Sequence, residues 1–291
     1  MSMKMTLKKN NGITLIELLI GLAIFSLAVG GLYRTFTSQQ KVFVVQDQVV
    51  DIQQNLRGAI NRMAKDIRMA GCGNISMLLP PSGSGVTVNG TTYSTVVNPD
   101  TPVNGSITIV SGGEGATTLI AAAQSGQNQI NVSTLTDSWG NPLFDTGNRR
   151  YISIGGIESH VIAAINNASN TITLSDTLIY NQPVGASVFY IRAITYQIGV
   201  ENGNPALEID DNTGPGPQPL CDDIESIQFA YYDANNNLLT PPIATPANIS
   251  MVRVTVTARA DKPDPDFKEG DHYRRRQVAS NIHLMNTNLG F

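Results

Sequence analysis

Glu17 is the first residue whose chemistry needs explaining. It is the one charge in an otherwise apolar run from Ile13 to Leu32. An unpaired carboxylate in hydrocarbon is costly and seeks a cation. Other reactive side chains are scattered. His160, His272 and His283 sit in separate regions, and no HExxH, GxSxG, Walker loop or CxxC pair occurs. No enzymatic role is expected. Asp233, Asn235 and Asn237 form the D-x-N-x-N start of a calcium loop, but Leu238 replaces its glycine and Ala244 its closing glutamate. A hairpin turn explains them more simply. Asp210, Asp211, Asp222, Asp223 and Glu225 read as a solvated acidic loop, and Tyr273 to Arg276 (YRRR) as a solvated strand entrance, with an acidic partner as the alternative. No metal or cofactor is expected.

Glu17 sits near the start of a long helical pattern. The run Ile13–Leu32 is twenty residues, which as a helix spans roughly 30 Å, one bilayer core. Lys4, Lys8 and Lys9 precede it. A secretory signal cut at Ala28-Val29-Gly30 and a plain membrane anchor both fit the run by itself. The residues beyond it continue as a helix. Val45, Val49, Ile52, Leu56, Ile60, Met63, Ile67 and Ala70 recur at three- and four-residue spacings. Arg57, Arg62, Lys65 and Arg68 crowd the last turns, where cations suit the helix dipole, and Gly71-Cys72-Gly73 ends the helix. One helix over 13–70 is expected, with an all-round apolar half (13–32) and an amphipathic half (33–70).

Beyond it the period becomes two. Val86 to Val97 turns at Asn89-Gly90, a hairpin signal. Strands are expected at 106–110, 128–135 and 151–156, with a hairpin at 159–175 that turns at 166–170. Between Gly71 and Ile130 only Asp100 and Glu114 are charged, as in a loop-rich insertion. Further strands are expected at 188–200, 206–210, 224–233, 251–260 and 277–286. In the fourth, Val252, Val254, Val256 and Ala258 take one face and Arg253, Thr255, Thr257 and Arg259 the other. An antiparallel meander laid on the amphipathic helix accounts for them. The formal charge is −4, and removing Lys4, Lys8 and Lys9 leaves −7 beyond Gly12. That argues against nucleic acid, which requires clustered cations.

The leader KKNNG followed by ITLIELLIGLAIF resembles the type IV prepilin signal. The resemblance implies cleavage after Gly12 by a prepilin peptidase and N-methylation of Ile13, in a family that usually has Phe there. It implies that Glu17 pairs with the N-terminal amine of a neighbouring subunit. The proline that major pilins often carry in the membrane half is missing. The segments AKDIRMAGCG, AITYQIGV, LCDDIESIQFAYYD, VRVTVTARA and RRRQVASNIHLMN resemble the PilW family of minor pilins. They imply an α+β type IV pilin fold: a long N-terminal helix, half membrane and half amphipathic, packed on an antiparallel sheet with a β-rich insertion. The organisation is then a leader (1–12), the helix (13–70) and a periplasmic domain (71–291), with the insertion at about 80–187 and the C-terminal sheet at about 188–291.

The resemblance further implies assembly with major and other minor pilins in the initiating or tip complex, with a tip adhesin as a further partner. The chain starts in the inner membrane and ends in the pilus. The GspJ-like pseudopilins of type II secretion share the layout, and a membrane-anchored periplasmic binding or adhesin module is the reading outside filaments. A pilin's head lies in a compartment that permits disulfides. Cys72 and Cys221 are therefore expected to bond, tying the helix end to the C-terminal sheet.

Overall fold

The computed structural model describes residues 14–73, 75, 85–99, 105–240, 243–264, 266–268 and 270–286. One helix, α1 (Leu15–Arg68), opens the chain. The chain divides into two units, Met1–Val50 and Asp51–Phe291. In the first unit α1 carries no proline, and its Leu and Ala residues lose little side-chain freedom in a helix. From Leu15 to Val44 its apolar side chains are exposed all round, Leu15 at 79% and Phe25 at 69%.

In the second unit the 3.6-residue stripe is buried. Ile52, Leu56, Ala59, Met63, Ala64 and Ile67 all face inward. The helix stops where expected. Gly71 (φ 74°) and Gly73 (φ 86°) take left-handed conformations that favour glycine. Gly71 N–H then donates to the Val110 carbonyl at 2.9 Å, passing the chain onto the sheet.

Fifteen strands follow among the described residues. β1 (Val86–Val88) and β2 (Thr91–Tyr93) form a separate hairpin. Its turn residues Asn89 and Gly90 both have positive φ, as a type I′ turn requires. The nine-stranded antiparallel sheet is built around β9 (Ser187–Glu201). One edge of β9 pairs with β4 (Ser106–Thr118), which also takes β3 (Val97–Pro99). The other edge pairs with β10 (Asn204–Asp210) and, further along, with β6 (Tyr151–Ile154). β11 (Gln218–Asp222) extends the β10 side. β7 (Glu158–Asn166), β8 (Thr171–Leu174) and β5 (Gln129–Asn131) extend the β6 side. A second sheet runs in the order β13 (Leu238–Leu239), β12 (Ile224–Tyr232), β14 (Met251–Arg259), β15 (Arg275–His283).

This is the α+β arrangement expected: a long N-terminal helix packed on antiparallel sheet. One detail differs. The segment after 188 is not one meander, because β9–β11 belong to the large sheet and β12–β15 to the small one. Strands β3 to β8 share the large sheet with β9–β11. β9 is long enough to take β4 along one edge while β10 and β6 share the other. The core reflects this. Met63 and Ile67 of α1, Ile107 and Ile109 of β4, Ile191 of β9, and Phe229 and Val254 of the small sheet form one cluster. A satellite cluster of Leu119, Ile130, Val132, Phe144, Ile152 and Ile172 fills the β5–β8 region. The strict alternation in β14 holds: Val252, Val254, Val256 and Ala258 are buried, and Arg253 is exposed.

Candidate assembly site

Gly12 and Ile13, the expected cleavage and methylation site, lie outside the described residues. Glu17 lies within them, in the first turn of α1. Its Oε2 accepts from the backbone N–H and the hydroxyl of Thr14, both at 3.0 Å. The Thr14 hydroxyl oxygen in turn accepts from the Glu17 N–H at 3.3 Å. This is a capping box, in which residues three apart satisfy each other's unpaired groups at a helix start. The T-x-x-E spacing signals it in the sequence, where attention to charge alone passes over it. Glu17 Oε1 accepts no hydrogen bond among the described residues. The carboxylate is thus fixed in direction and retains one oxygen for a cation. Around it Ile16, Leu18, Leu19 and Ile20 are exposed. The site can hold a charge in register.

Cys72 and Cys221 are both free thiols, contrary to expectation. Cys221 Sγ lies 3.6 Å from where a Cβ on Gly58 would stand. About 15 Å of helix separates Gly58 from Arg68, the last helical residue, and Cys72 lies beyond that end, where its carbonyl accepts from Gly112 N–H at 2.7 Å. A disulfide needs Cα atoms within about 7 Å. β11 joins the sheet through β10, away from the strand that receives the helix end, so the two cysteines meet different parts of the core.

Two buried polar centres went unnoticed in the sequence. On α1, Asp66 is 1% exposed and contacts Arg62 Nε at 3.1 Å and Arg192 Nη2 at 3.3 Å. It accepts the Tyr196 hydroxyl proton at 2.5 Å. Burial and the Asp66 charge push the Tyr196 hydroxyl far above its ordinary pKa, so it stays a donor. The signal was one acid inside a basic turn, beside the apolar stripe. In β7, Glu158 and His160 are two residues apart and share a face. His160 Nε2 meets Glu158 Oε2 at 2.9 Å and Nδ1 meets Asp176 Oδ1 at 2.9 Å. Glu158 also accepts from Ile179 N–H at 2.8 Å and from Gln182 Nε2 at 2.5 Å. Burial alone would drive the proton off His160, but its bonds to Glu158 and Asp176 outweigh that and raise its pKa. Burial would likewise raise Glu158, but bonds from His160, Ile179 and Gln182 hold it below the ordinary value. With both ring nitrogens on carboxylates, the contacts favour the doubly protonated ring, which donates to both.

Most of the remaining sequence candidates are absorbed locally; Asp223 is the exception, its Oδ1 buried without a hydrogen-bond partner among the described residues. Asp233 Oδ1 accepts from the N–H groups of Asn235 and Asn237, both at 2.8 Å, so it closes a hairpin turn. Asp210 and Asp211 cap the following turn at Asn212 and Thr213. In YRRR, Arg274 binds Asp264, and Arg275 binds Glu225 and Asp271. No group of three or more His, Cys, Asp or Glu among the described residues is placed to hold a metal.

Comparison with known proteins bears on α1. No curated protein matches the chain. Among solved structures, a type IV-like pilin from Thermus thermophilus matches with 12% identity and a TM-score of 0.34, over 81% of this chain and 97% of that one. Residues 7–33 match the prokaryotic N-terminal methylation motif. The chain therefore carries that motif at the head of a helix long and apolar enough to cross a membrane.

Proposed function

We propose that this chain is a minor pilin of the PilW family, acting in the initiating or tip complex of a type IV pilus and turning over no substrate. The observation that carries the reading is the state of Glu17. It lies inside the matched motif, on the half of α1 that is exposed and apolar all round, with one oxygen held by Thr14 and one open among the described residues. Cleavage after Gly12 would create an amine at Ile13, and N-methylation would keep it cationic. The open oxygen of one subunit would receive the amine of a neighbour. Before assembly, the same helix would be a single span of the inner membrane, with residues 71–291 in the periplasm.

Moving that helix from lipid into a bundle of helices gains little hydrophobic energy, because both surroundings are apolar. Close packing and the Glu17 pair must then supply the preference for the filament. The charge of −7 beyond the leader and the β-rich head with its long insertion suit a terminal subunit better than one that must fit identical copies above and below. The reading implies low stoichiometry beside the major pilin and other minor pilins. Gene deletion and Glu17→Val test it: each should sharply reduce surface pili while the major pilin stays in the membrane. Unchanged piliation in both strains, or this chain as the dominant protein of sheared filaments, would contradict it.

A further inference from the structure

Among the described residues the outer edge of β15 is unpartnered, and its geometry identifies what could cover it. Pairing with β14 follows a fixed register, from Met251 opposite His283 to Arg259 opposite Arg275. Leu284 N–H donates to the Ser250 carbonyl, and Ala260 N–H donates to the Arg274 carbonyl. In an antiparallel ladder these mark the hydrogen-bonded pairs, so even-numbered residues of β15 face β14. Arg275, Gln277, Ala279, Asn281 and His283 therefore direct their N–H and C=O groups outward. Among the described residues none of these outward backbone groups has a backbone partner.

The side chains beside this edge are also unmatched. A groove of about 510 Å³ lies between α1 and β15, lined by Leu56, Arg57, Ile60, Arg276, Gln277 and Val278. Val278 stands opposite Val256 on the inward face, yet it is 43% exposed where Val256 is 0%. The small sheet thus ends one strand short of covering its own core. Arg57 and Arg276 form no ion pair or hydrogen bond among the described residues, although Arg274 and Arg275 do.

We propose that β15 is a strand-addition site for an extended, acidic segment of another protein chain. Its main chain would pair with the outward groups of β15, as in β-augmentation. Alternate side chains would point inward, and the apolar ones would cover Leu56, Ile60 and Val278. A carboxylate at the groove would meet Arg57 and Arg276, whose planar forks suit it. A second copy of this chain, pairing β15 with β15, would bring its own arginines against these and be repelled. The inference stands on the sheet edge and does not depend on the filament reading.

The test is photo-crosslinking in the full chain, in the cells that make it, with a benzophenone amino acid at Gln277 and a control at the exposed Arg253. Crosslinked peptides are sequenced by mass spectrometry. The expected result is a crosslink from position 277, and not from 253, to one segment of a different chain containing Asp or Glu. Ala279→Pro removes only an outward N–H, so it should keep the fold and cut the yield at least tenfold. The double change Arg57→Glu with Arg276→Glu leaves the backbone edge intact and should cut it similarly, with recovery when the partner's acid is changed to Lys. A crosslink to another copy, to residues 287–291 of the same chain or to nothing would overturn the proposal. So would a yield unchanged by both sets of substitutions.

Discussion

Removing the Asp66 carboxylate should destabilise the head more than any exposed substitution. Asp66→Ala would leave the Tyr196 hydroxyl buried without an acceptor, since Tyr196 is 0% exposed. It would also leave Arg192, on β9, without its carboxylate partner. Breaking a fully buried pair from one side costs about 3–5 kcal/mol. The Arg62 and Arg192 side chains are 42% and 24% exposed, so water recovers part of that and about 3 kcal/mol is expected. For a domain of this size each kcal/mol lowers Tm by about 2–4 °C, which gives a fall of about 6–12 °C. The assay is thermal unfolding of the detergent-solubilised full chain, followed by near-ultraviolet circular dichroism. Asp66→Asn keeps an acceptor for Tyr196 and should fall less. Tyr196→Phe removes one donor while both arginines remain, and should cost about 1 kcal/mol. A loss below 2 °C for Asp66→Ala would refute the claim that this carboxylate ties α1 to the large sheet.

The Glu158–His160 pair gives stability a pH window. His160 has a raised folded pKa, so its contribution is complete below the ordinary histidine value and is lost as pH rises through the folded one. Glu158 has a lowered folded pKa, so its contribution is complete above the ordinary carboxylate value and is lost as pH falls through the folded one. Tm measured from pH 4 to 9 should decline on the alkaline side in the parent and flatten there in His160→Gln; parallel profiles would count against the pair. Thiol labelling of the unfolded, unreduced chain should find two free cysteines. In the folded chain Cys221 should alkylate slowly, because burial and then Asp222 raise its pKa. Gly112→Ala should cost about 1–3 kcal/mol, read by denaturant unfolding, since its Cβ would stand 2.8 Å from the Cys72 carbonyl oxygen. No loss there would mean that the helix end can move off β4.

The helix was legible because its signals agree. An unbroken apolar run, a stripe at 3.6 spacing and a Gly-Cys-Gly stop all set the same bounds, and Leu15–Arg68 lies within two residues of them. The Asn-Gly hairpin and the alternation of β14 were legible for the same reason, because turn chemistry and side-chain period are local. Sheet membership was not. Whether β9 pairs with β4 or with β12 depends on contacts far apart in the chain, which no local period encodes. β11 was hidden by Pro217 and Pro219, which read as linker, although Pro219 is tolerated in this edge strand. The cysteine pairing failed because it rested on compartment and resemblance, and distance was not available to test it. At Glu17 the charge was read and the capping partner missed, although Thr14 three residues earlier signals it.

Processing as a prepilin is read most directly by mass spectrometry of the mature N-terminal peptide. Material should come from membranes of the cells that make it. The expected peptide begins at Ile13, is N-methylated and has lost the leader KKNNG. An N-terminus at Gly31, or an intact leader at Lys8 and Lys9 in every membrane-bound copy, would contradict it.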